Sequence, residues 1–398
     1  MFWTDIALQK AQCPHREAFQ EKFALRKTGR WDTETCRALW GWIRGYVNHR
    51  IREGETLYQV AQQYGSQVRS IVFSNRIRED RGLLPGQVLQ VPLPCGIVEP
   101  SLPFGTDVQA VWLDGMQARC PWLEAKCLTN TAGGRPLTAL RLGRGKRRVL
   151  LTSAHHGNEY ITGILLWQLL ERYCHALALG ESLFGFSAQM LFQNTSLYLV
   201  PLANPDGVEL VTGEISPGSG EYEQARQLAA AFPQVPFPQG WKANLHGVDL
   251  NLNYPADFDR VRRRKAAAGV AVAGPRDYPG AQPLDQPETR ALAAWIEEIR
   301  PHVLAAWHTQ GGEIYGEDFD GQYPDEDLAK RIACASGYEL RPVPPESRGG
   351  GLRDWFVESF GRPGFTIEAG RGENPLPLSD LPRLVEENLP VFALLLHG

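Results

Sequence analysis

The sequence lacks several features that would place it in a specialised class of protein. Its seven cysteines are odd in number and include no Cys-x-x-Cys pair, which argues against a disulfide framework and a cysteine zinc site. No apolar run approaches about 18 residues, so we expect no membrane insertion. The amino terminus, MFWTDIALQKAQ, has no basic region followed by an apolar core and is not predicted to be a signal peptide.

A strong excess of charge of one sign is also missing. The net charge is −4 over 398 residues, which gives no reason to expect nucleic acid as a partner. The short basic cluster RVRRRK (260–265) is predicted to be a solvated loop or helix face. Hydrophobic residues make up 43% and charged residues 22%, as is typical of soluble globular proteins. The chain is long enough for more than one domain and at least one large core.

The first third of the chain divides into three segments. Residues 1–45 have the spacing of short helices around a turn, with Asp32 as an N-cap and Thr35, Leu39 and Trp42 facing inward. Residues 46–94 are predicted to form strand, helix, helix and strand, and Thr56 caps the first of these helices. Residues 95–115 are rich in proline and glycine and are predicted to be a linker.

From residue 116 to residue 398, apolar strands alternate with longer helical segments. This alternation predicts an α/β domain, with a mixed, largely parallel sheet covered by helices on both faces. The predicted strands are 137–142, 148–153, 196–201, 303–307 and 364–368. The predicted helices are 159–179, 222–232, 287–299, 325–336, 351–360 and 380–395. Ligands bind at the carboxyl ends of strands in such sheets.

Polar residues stand at three of these strand ends. In the stretch AHHGNEYITG (154–163), His156 and Glu159 have the His-x-x-Glu spacing that can direct two metal ligands to one point. Taken alone, this pair is more often a cluster that caps the start of a helix. His308 ends a second strand and Glu368 a third, and a catalytic zinc site takes three ligands of the histidine or carboxylate type.

Five features, taken in chain order, resemble the zinc carboxypeptidase family. They are His-x-x-Glu, ANPDG (203–207), GVDLN (247–251), His308 and the TIE of the last strand. The resemblance covers roughly residues 120–398 and implies one Zn²⁺, held by His156, Glu159 and His308. It also assigns roles to three further residues and leaves His155 with a structural one. Glu368 would be the general base, Asp249 would orient the first zinc histidine, and Lys242 would stand where the family often has an arginine for the oxyanion.

The second segment, 46–94, resembles a LysM module, a small βααβ fold that binds glycans containing N-acetylglucosamine. The matching stretches are GETL (54–57), YG (64–65), Asn75 and LPGQVLQVP (84–92). The first segment, 1–45, has a weaker similarity to a three-helix peptidoglycan-binding repeat, and a helical cap on its neighbour explains it equally well. Peptidoglycan glycan chains are therefore the expected partner of this part of the chain.

The sequence departs from the carboxypeptidase pattern where exopeptidases hold the terminal carboxylate. Asn251 is present, but Leu252 replaces the arginine that follows it, and Glu346 stands where a tyrosine is usual. Leucine offers no donors for a carboxylate. A peptidase without this clamp is not expected to require a chain end, and Arg353, in GGGLRDW, is a candidate partner for other substrate carboxylates.

These departures and the LysM module resemble the γ-D-glutamyl-L-diamino-acid endopeptidases. The resemblance implies cleavage between D-glutamate and diaminopimelate, or lysine, in peptidoglycan stem peptides. It also implies a place at the cell wall or spore, with the cytoplasm as the alternative. Two other functions stay open: an ordinary zinc carboxypeptidase acting on peptides, and a wall-binding protein with an inactive peptidase domain.

Overall fold

The computed structural model describes residues 3–23, 25–78 and 82–398. The chain divides into two compact units. The first unit consists of Met1–Leu102, Asp107–Glu124 and Leu170–Glu181. The second consists of Pro103–Thr106, Ala125–Leu169 and Ser182–Gly398.

The first unit contains helices around a two-stranded sheet. In chain order its elements are α1 (Trp3–Lys10), α2 (Arg16–Lys22), α3 (Thr33–Arg44), β1 (Tyr46–Arg50), α4 (Leu57–Tyr64), α5 (Val68–Asn75), β2 (Val88–Pro92) and α6 (Thr106–Arg119). The Asp32 carboxylate accepts a hydrogen bond from Thr35 N at 2.8 Å, which confirms the predicted N-cap of α3. The residues predicted to face inward from α3 are buried.

The strands β1 and β2 and the two helices between them form the predicted βααβ arrangement. The two strands pair antiparallel, with Tyr46 opposite Pro92. Thr56 and Gln59 form a capping box at the start of α4, in which each side chain accepts a bond from the other residue's backbone N–H. The core of this segment is aliphatic and includes Ile51, Val60, Ile71, Leu89 and Val91.

The segment predicted as a linker, 95–115, contains most of helix α6. Its prolines lie no further along than Pro103. Beyond them Val108, Trp112 and Met116 recur at intervals of four and are buried, as expected for one face of a helix. The linker prediction was wrong here because it relied on the proline and glycine content and not on this periodicity. The basic cluster at 260–265 also lies in a helix, and Arg260, Arg262 and Arg263 are exposed on it.

The second unit holds the rest of the secondary structure. Its strands are β3 (Glu124–Asn130), β4 (Pro136–Gly143), β5 (Arg147–Ser153), β6 (Ser182–Leu183), β7 (Phe186–Ser187), β8 (Thr195–Val200), β9 (Val303–His308), β10 (Glu313–Tyr315), β11 (Glu339–Leu340) and β12 (Gly364–Glu368). Its helices are α8 (Ala188–Asn194), α9 (Pro205–Thr212), α10 (Gly220–Ala229), α11 (Phe258–Ala267), α12 (Pro287–Ile299), α13 (Glu326–Ser336), α14 (Leu352–Phe360) and α15 (Leu381–His397). Helix α7 (Ile161–Leu179) has residues in both units.

The described strands include an eight-stranded sheet in the order β11-β10-β12-β9-β5-β8-β4-β3. Three neighbouring pairs near the middle of the sheet are parallel: β12 with β9, β9 with β5, and β5 with β8. Antiparallel pairs join β10 to β12 and β4 to β8. This confirms the mixed, largely parallel sheet. Strands β3, β10 and β11 were not predicted; the last two have three and two residues, too few to show a period.

Helices cover both faces of this sheet, as predicted. On one face Leu150 and Leu304 pack in a cluster with Ile296 of α12 and Phe356 of α14. Trp307 points to the opposite face because side chains alternate along a strand. Its indole N–H donates to Asn388 Oδ1 of α15 at 2.8 Å. No helix among the described residues is long and apolar enough to cross a membrane.

Candidate metal centre and substrate pocket

The candidate ligands lie at the carboxyl ends of adjacent parallel strands. His308 is the last residue of β9, and Glu368, the last residue of β12, is its register partner. His156 follows β5 and leads into a 3₁₀ turn, Gly157–Glu159. A Cβ at position 157 would lie 2.5 Å from the carbonyl oxygen of Gly207, so only glycine fits directly after the histidine.

Three of these side chains form one group, the metal cluster: His156, Glu159 and His308. Their ligand atoms lie within 4.8 Å of one another, and this is the one such group in the described part of the chain. Glu159 Oε1 lies 2.8 Å from His156 Nδ1, and Oε2 lies 3.0 Å from His308 Nδ1. The structure therefore brings the three predicted ligands together.

The donor set fits a zinc ion. The Nδ1 atoms of His156 and His308 face each other at 3.3 Å, so two neutral rings cannot both present a lone pair there without a cation or proton between them. Two imidazoles and one carboxylate are the ligand set of many catalytic zinc sites. On the other side of its ring, His156 Nε2 lies 3.2 Å from Asp249 Oδ1, the carboxylate–histidine contact that fixes a ligating ring.

Charge in the cluster favours an ionised Glu159. Burial raises the pKa of this carboxyl, but His156 and Lys242 outweigh burial and hold the pKa well below its usual value. Lys242 Nζ lies 2.7 Å from Glu159 Oε1. Burial lowers the pKa of His156, yet Glu159 and Asp249 raise it to about 9. A metal ion binding here would displace a proton.

Glu368 lines the same cavity of about 250 Å³ as the metal cluster. Burial and then the negative charge of Glu159 raise the pKa of Glu368 to about 8. A general base works best when its pKa lies near the operating pH. The catalytic role of Glu368 stays a prediction, and its position in the pocket agrees with that role.

Asn204 of the ANPDG motif has a structural function that the sequence analysis did not assign. Its side-chain amide donates to the carbonyl oxygens of His155, Lys242 and Ala243 at 3.0–3.1 Å. One buried amide thus joins the segment before His156 to the segment that carries Lys242. His155 itself is buried and stacks on His308 with ring centroids 5.6 Å apart. Within the described residues neither of its ring nitrogens has a hydrogen-bond partner.

The residues predicted to bind substrate also line the pocket, with a difference at Arg353. Asn251 and Leu252 face the cavity, as does Arg353. The Arg353 guanidinium, however, is buried: Nη1 lies 2.6 Å from Asp354 Oδ1, and Nη2 donates to the carbonyl oxygen of Glu317. Both terminal nitrogens of its guanidinium are therefore already engaged by protein groups. Its substrate-binding role stays a prediction, as does the oxyanion role of Lys242.

The pocket is also lined by polar residues that were not predicted from the sequence, among them Lys265, Arg276, Asp277 and Tyr315. Lys265 lies in the basic cluster, which was assigned to a solvated surface. Arg276 and Asp277 lie in a segment without regular secondary structure between α11 and α12. The signal in the sequence that could have placed Arg276 and Asp277 at the site was their nearness to the GVDLN motif.

The model of the zinc carboxypeptidase family matches residues 110–391, and the model of the LysM domain matches residues 49–92. The chain belongs to the zinc carboxypeptidase family, and it is a zinc metallopeptidase with a LysM domain ahead of the catalytic part. These matches confirm the resemblances to the zinc carboxypeptidase family and to the LysM module. The similarity of residues 1–45 to a peptidoglycan-binding repeat stays a prediction.

Two curated proteins illustrate the branch of the family that the chain is similar to. It is 35% identical over 279 residues to gamma-D-glutamyl-L-diamino acid endopeptidase 1 of Lysinibacillus sphaericus, covering 70% of this chain and 68% of that protein. It is 36% identical over 261 residues to the uncharacterized protein YqgT of Bacillus subtilis, covering 65% of this chain and 67% of that protein.

Solved structures of more distant proteins share the fold. Bovine thrombin-activatable fibrinolysis inhibitor, in complex with a tick carboxypeptidase inhibitor, has a TM-score of 0.55 and 16% identity, over 75% of this chain and 97% of that one. A metallo-carboxypeptidase from Burkholderia cenocepacia has a TM-score of 0.50 and 15% identity, over 78% and 75% of the two chains. At this identity the likeness concerns the fold alone.

Proposed function

We propose that the protein is a zinc-dependent endopeptidase that hydrolyses the bond between D-glutamate and diaminopimelate, or lysine, in peptidoglycan stem peptides. The observation that carries the proposal is Leu252 beside Asn251 in a pocket that keeps the metal cluster and Glu368. The site can therefore perform hydrolysis, but it lacks the arginine that holds a terminal carboxylate. The similarity to an endopeptidase of this specificity supports the same substrate.

In this proposal His156, Glu159 and His308 hold the zinc, and Asp249 keeps the His156 ring in place. The bound metal supplies Lewis acidity, which polarises a carbonyl group and lowers the pKa of water. Glu368 accepts a proton from the attacking water and then donates it to the leaving amine nitrogen as the C–N bond breaks. Lys242 keeps the Glu159 carboxylate ionised through its 2.7 Å contact.

We further propose that the LysM domain holds the enzyme on the glycan of its substrate, which places the protein at the cell wall. Two large apolar side chains of the domain, Tyr58 and Leu84, are 69% and 70% exposed. Both side chains are therefore accessible to a ligand. The exposed ring of Tyr58 has an apolar face and a polar hydroxyl group, a combination that suits a sugar ring, which has apolar and polar sides.

Digestion of a tetrapeptide stem tests the activity. The full chain with zinc should release a fragment that begins with diaminopimelate and keeps the residue after it, as identified by mass spectrometry. Release of the terminal residue alone would replace the proposal with the carboxypeptidase function. No cleavage of any stem peptide by zinc-loaded protein would favour the inactive wall-binding protein.

Binding to the glycan is tested with the full-length Glu368→Gln variant, so that the polymer is not digested. This protein should co-sediment with purified peptidoglycan, and Tyr58→Ser or Leu84→Ser should lower the bound fraction. Met190→Ser, which changes an exposed apolar residue of the other unit, is the matched control. Equal binding by all four proteins would remove the anchoring role from this surface.

A further inference from the structure

Two cations of the pocket share one carboxylate. Lys265 Nζ lies 2.6 Å from Asp277 Oδ1, and Arg276 Nε lies 2.8 Å from Asp277 Oδ2. All three residues line the cavity that contains the metal cluster. Two positive charges facing one negative charge leave a local excess of one positive charge at this part of the cavity wall, which attracts an anion.

Arg276 is the pocket cation with the most donors left for a ligand. Its side chain is 43% exposed, compared with 16% for Lys242, 19% for Lys265 and 7% for Arg353. Only Nε of Arg276 is engaged, and both Nη atoms are without a protein partner in the part of the chain that the structure describes. These two nitrogens form the fork that binds a carboxylate through two parallel hydrogen bonds.

The backbone holds Arg276 in a fixed position relative to the metal cluster. The carbonyl oxygen of Pro275 accepts from Lys242 N at 2.8 Å and from Ala243 N at 2.9 Å. On the other side, Asp277 N donates to Asp249 Oδ2 at 3.1 Å, and Asp249 also contacts His156. Arg276 is thus attached through both neighbours to residues around the metal cluster. A preorganised position of this kind is expected of a binding group.

The substrate of the proposed function carries carboxylates within the chain. The D-glutamyl residue is linked through its γ-carbonyl, so its α-carboxylate remains free beside the scissile bond. Diaminopimelate brings a further carboxylate on the other side of the cut. Neither group requires the chain to end directly after the scissile bond, so a cation that binds one of them gives specificity without an exopeptidase clamp.

We propose that Arg276, supported by Lys265, binds a substrate carboxylate next to the scissile γ-amide and so supplies the recognition that Leu252 cannot. This inference rests on the proposed function and identifies the part of the site that selects the substrate. It assigns substrate selection to the loop formed by residues 274–278. Arg353, with its guanidinium engaged by Asp354 and Glu317, then has a structural role in the pocket.

The test combines enzyme variants with substrate variants. Wild type, Arg276→Gln and Arg276→Lys are assayed on three stem peptides: unmodified, amidated at the D-glutamyl α-carboxyl, and amidated at the diaminopimelate carboxyl. Arg260→Gln is the matched control, because it removes an exposed arginine of α11 that does not line the cavity. Zinc content and the thermal midpoint of each variant verify that the fold and the metal site are intact.

On the unmodified peptide, Arg276→Gln should lower kcat/KM by about 10- to 100-fold, mainly through KM. Arg276→Lys should show a smaller decrease in kcat/KM, because lysine keeps the charge without the two-nitrogen fork. Arg260→Gln should have the kcat/KM of wild type. Amidation of the carboxyl that Arg276 binds should lower the kcat/KM of wild type by a similar factor and lower that of Arg276→Gln only slightly. If Arg276→Gln is insensitive to one of the two amidations, that amidation marks the carboxylate that Arg276 binds.

Two results would overturn the inference and leave the proposed function standing. One is an Arg276→Gln variant with wild-type kcat/KM on the unmodified peptide. The other is a weakened variant that responds to both amidations as strongly as wild type does, which would mean that Arg276 acts only on the structure of the loop. A zinc-loaded wild type that cleaves none of the three peptides would overturn the proposed function itself, and the inference with it.

Discussion

Two groups of residues line the same pocket and differ in how closely they follow the zinc carboxypeptidase pattern. The metal cluster and Glu368 match that pattern at each position. The residues considered for substrate recognition, Asn251, Leu252, Arg276 and Arg353, match it only at Asn251. The first group stands at the ends of parallel strands or in the turn that follows, where sheet register sets its geometry. The second lies in a short 3₁₀ turn, in the irregular segment between α11 and α12, and in the first turn of α14.

The difference indicates how one fold acquires a new substrate. A change in the metal cluster would remove the chemistry, because each ligand is required. Loops tolerate substitution better than the elements that they connect. A leucine at position 252 leaves the metal cluster and Glu368 in place, and our proposal assigns recognition to a cation elsewhere in the pocket.

The largest expected effect concerns the metal cluster. His156→Ala and His308→Ala should each reduce bound zinc from about one equivalent per chain to a small fraction, because two ligands do not form a stable catalytic site. Activity should be lost with the metal. Zinc is measured by plasma mass spectrometry after dialysis.

The neighbouring histidine is the matched control for this prediction. His155→Ala removes a buried ring next to the same cluster but no predicted ligand, so it should retain zinc even where its thermal midpoint falls. Full zinc in His156→Ala together with loss of zinc in His155→Ala would exchange the roles of the two histidines.

The next effect concerns Glu368. Glu368→Gln should keep its zinc and lower kcat by about 100- to 10,000-fold, the usual contribution of a general acid–base group. The physical reason is that an amide cannot take the proton of the attacking water. Steady-state kinetics on a tetrapeptide stem and zinc analysis of the same sample measure both quantities. Near-normal turnover at full zinc occupancy would remove Glu368 from the mechanism.

The contrast between the two groups also explains which parts of the site the sequence could predict. Apolar strands that end in His156, His308 and Glu368 are local patterns, and their order along the chain matches a known family. The five central strands and the main helices were predicted for the same reason. Each has enough residues to show a hydrophobic period.

Contacts between distant segments could not be predicted in this way. Arg276 enters the pocket because Pro275 bonds to Lys242 and Ala243, more than 30 positions earlier in the chain. The pairing of Arg353 with Asp354 and with the Glu317 carbonyl likewise depends on tertiary structure. Position in a motif correctly placed Arg353 at the pocket, but it gave no information on which of its donors are engaged.

A smaller effect is expected when the missing clamp is restored. Leu252→Arg places a guanidinium beside Asn251, and a bidentate charge-assisted pair adds about 1.5–3 kcal/mol where it is desolvated. The ratio of kcat/KM for peptides that end one residue after the cut to kcat/KM for longer stems should therefore rise by about 10- to 100-fold. A wild type that already prefers the short peptides would show that Leu252 does not determine the mode of cleavage.

The smallest effect concerns a second buried carboxyl group, Glu288, which makes a natural comparison with Glu368. Glu288 lies in the first turn of α12, is 2% exposed and does not line the pocket. Its Oε1 has no hydrogen-bond partner among the described residues, and Oε2 accepts a long bond of 3.5 Å from Asn244 Nδ2. Burial and the charge of Asp206 raise the pKa of Glu288 to about 7, against the opposing effects of its backbone amide, Asn244 and His246.

A carboxyl group whose pKa is raised by folding lowers stability as the pH increases. Between about pH 4.5, where the unfolded glutamate ionises, and about pH 7, the folded protein keeps a proton that the unfolded chain releases. Ionisation of Glu288 should therefore lower the stability of wild type over this window and have no further effect at higher pH.

The variant Glu288→Gln cannot ionise at this position. Its thermal midpoint relative to wild type should therefore rise from pH 5 to pH 8, by the equivalent of about 1–3 kcal/mol. Its kcat should stay at the wild-type value, in contrast to Glu368→Gln. A difference in midpoint that is the same at pH 5 and pH 8 would mean that Glu288 does not change its ionisation on folding.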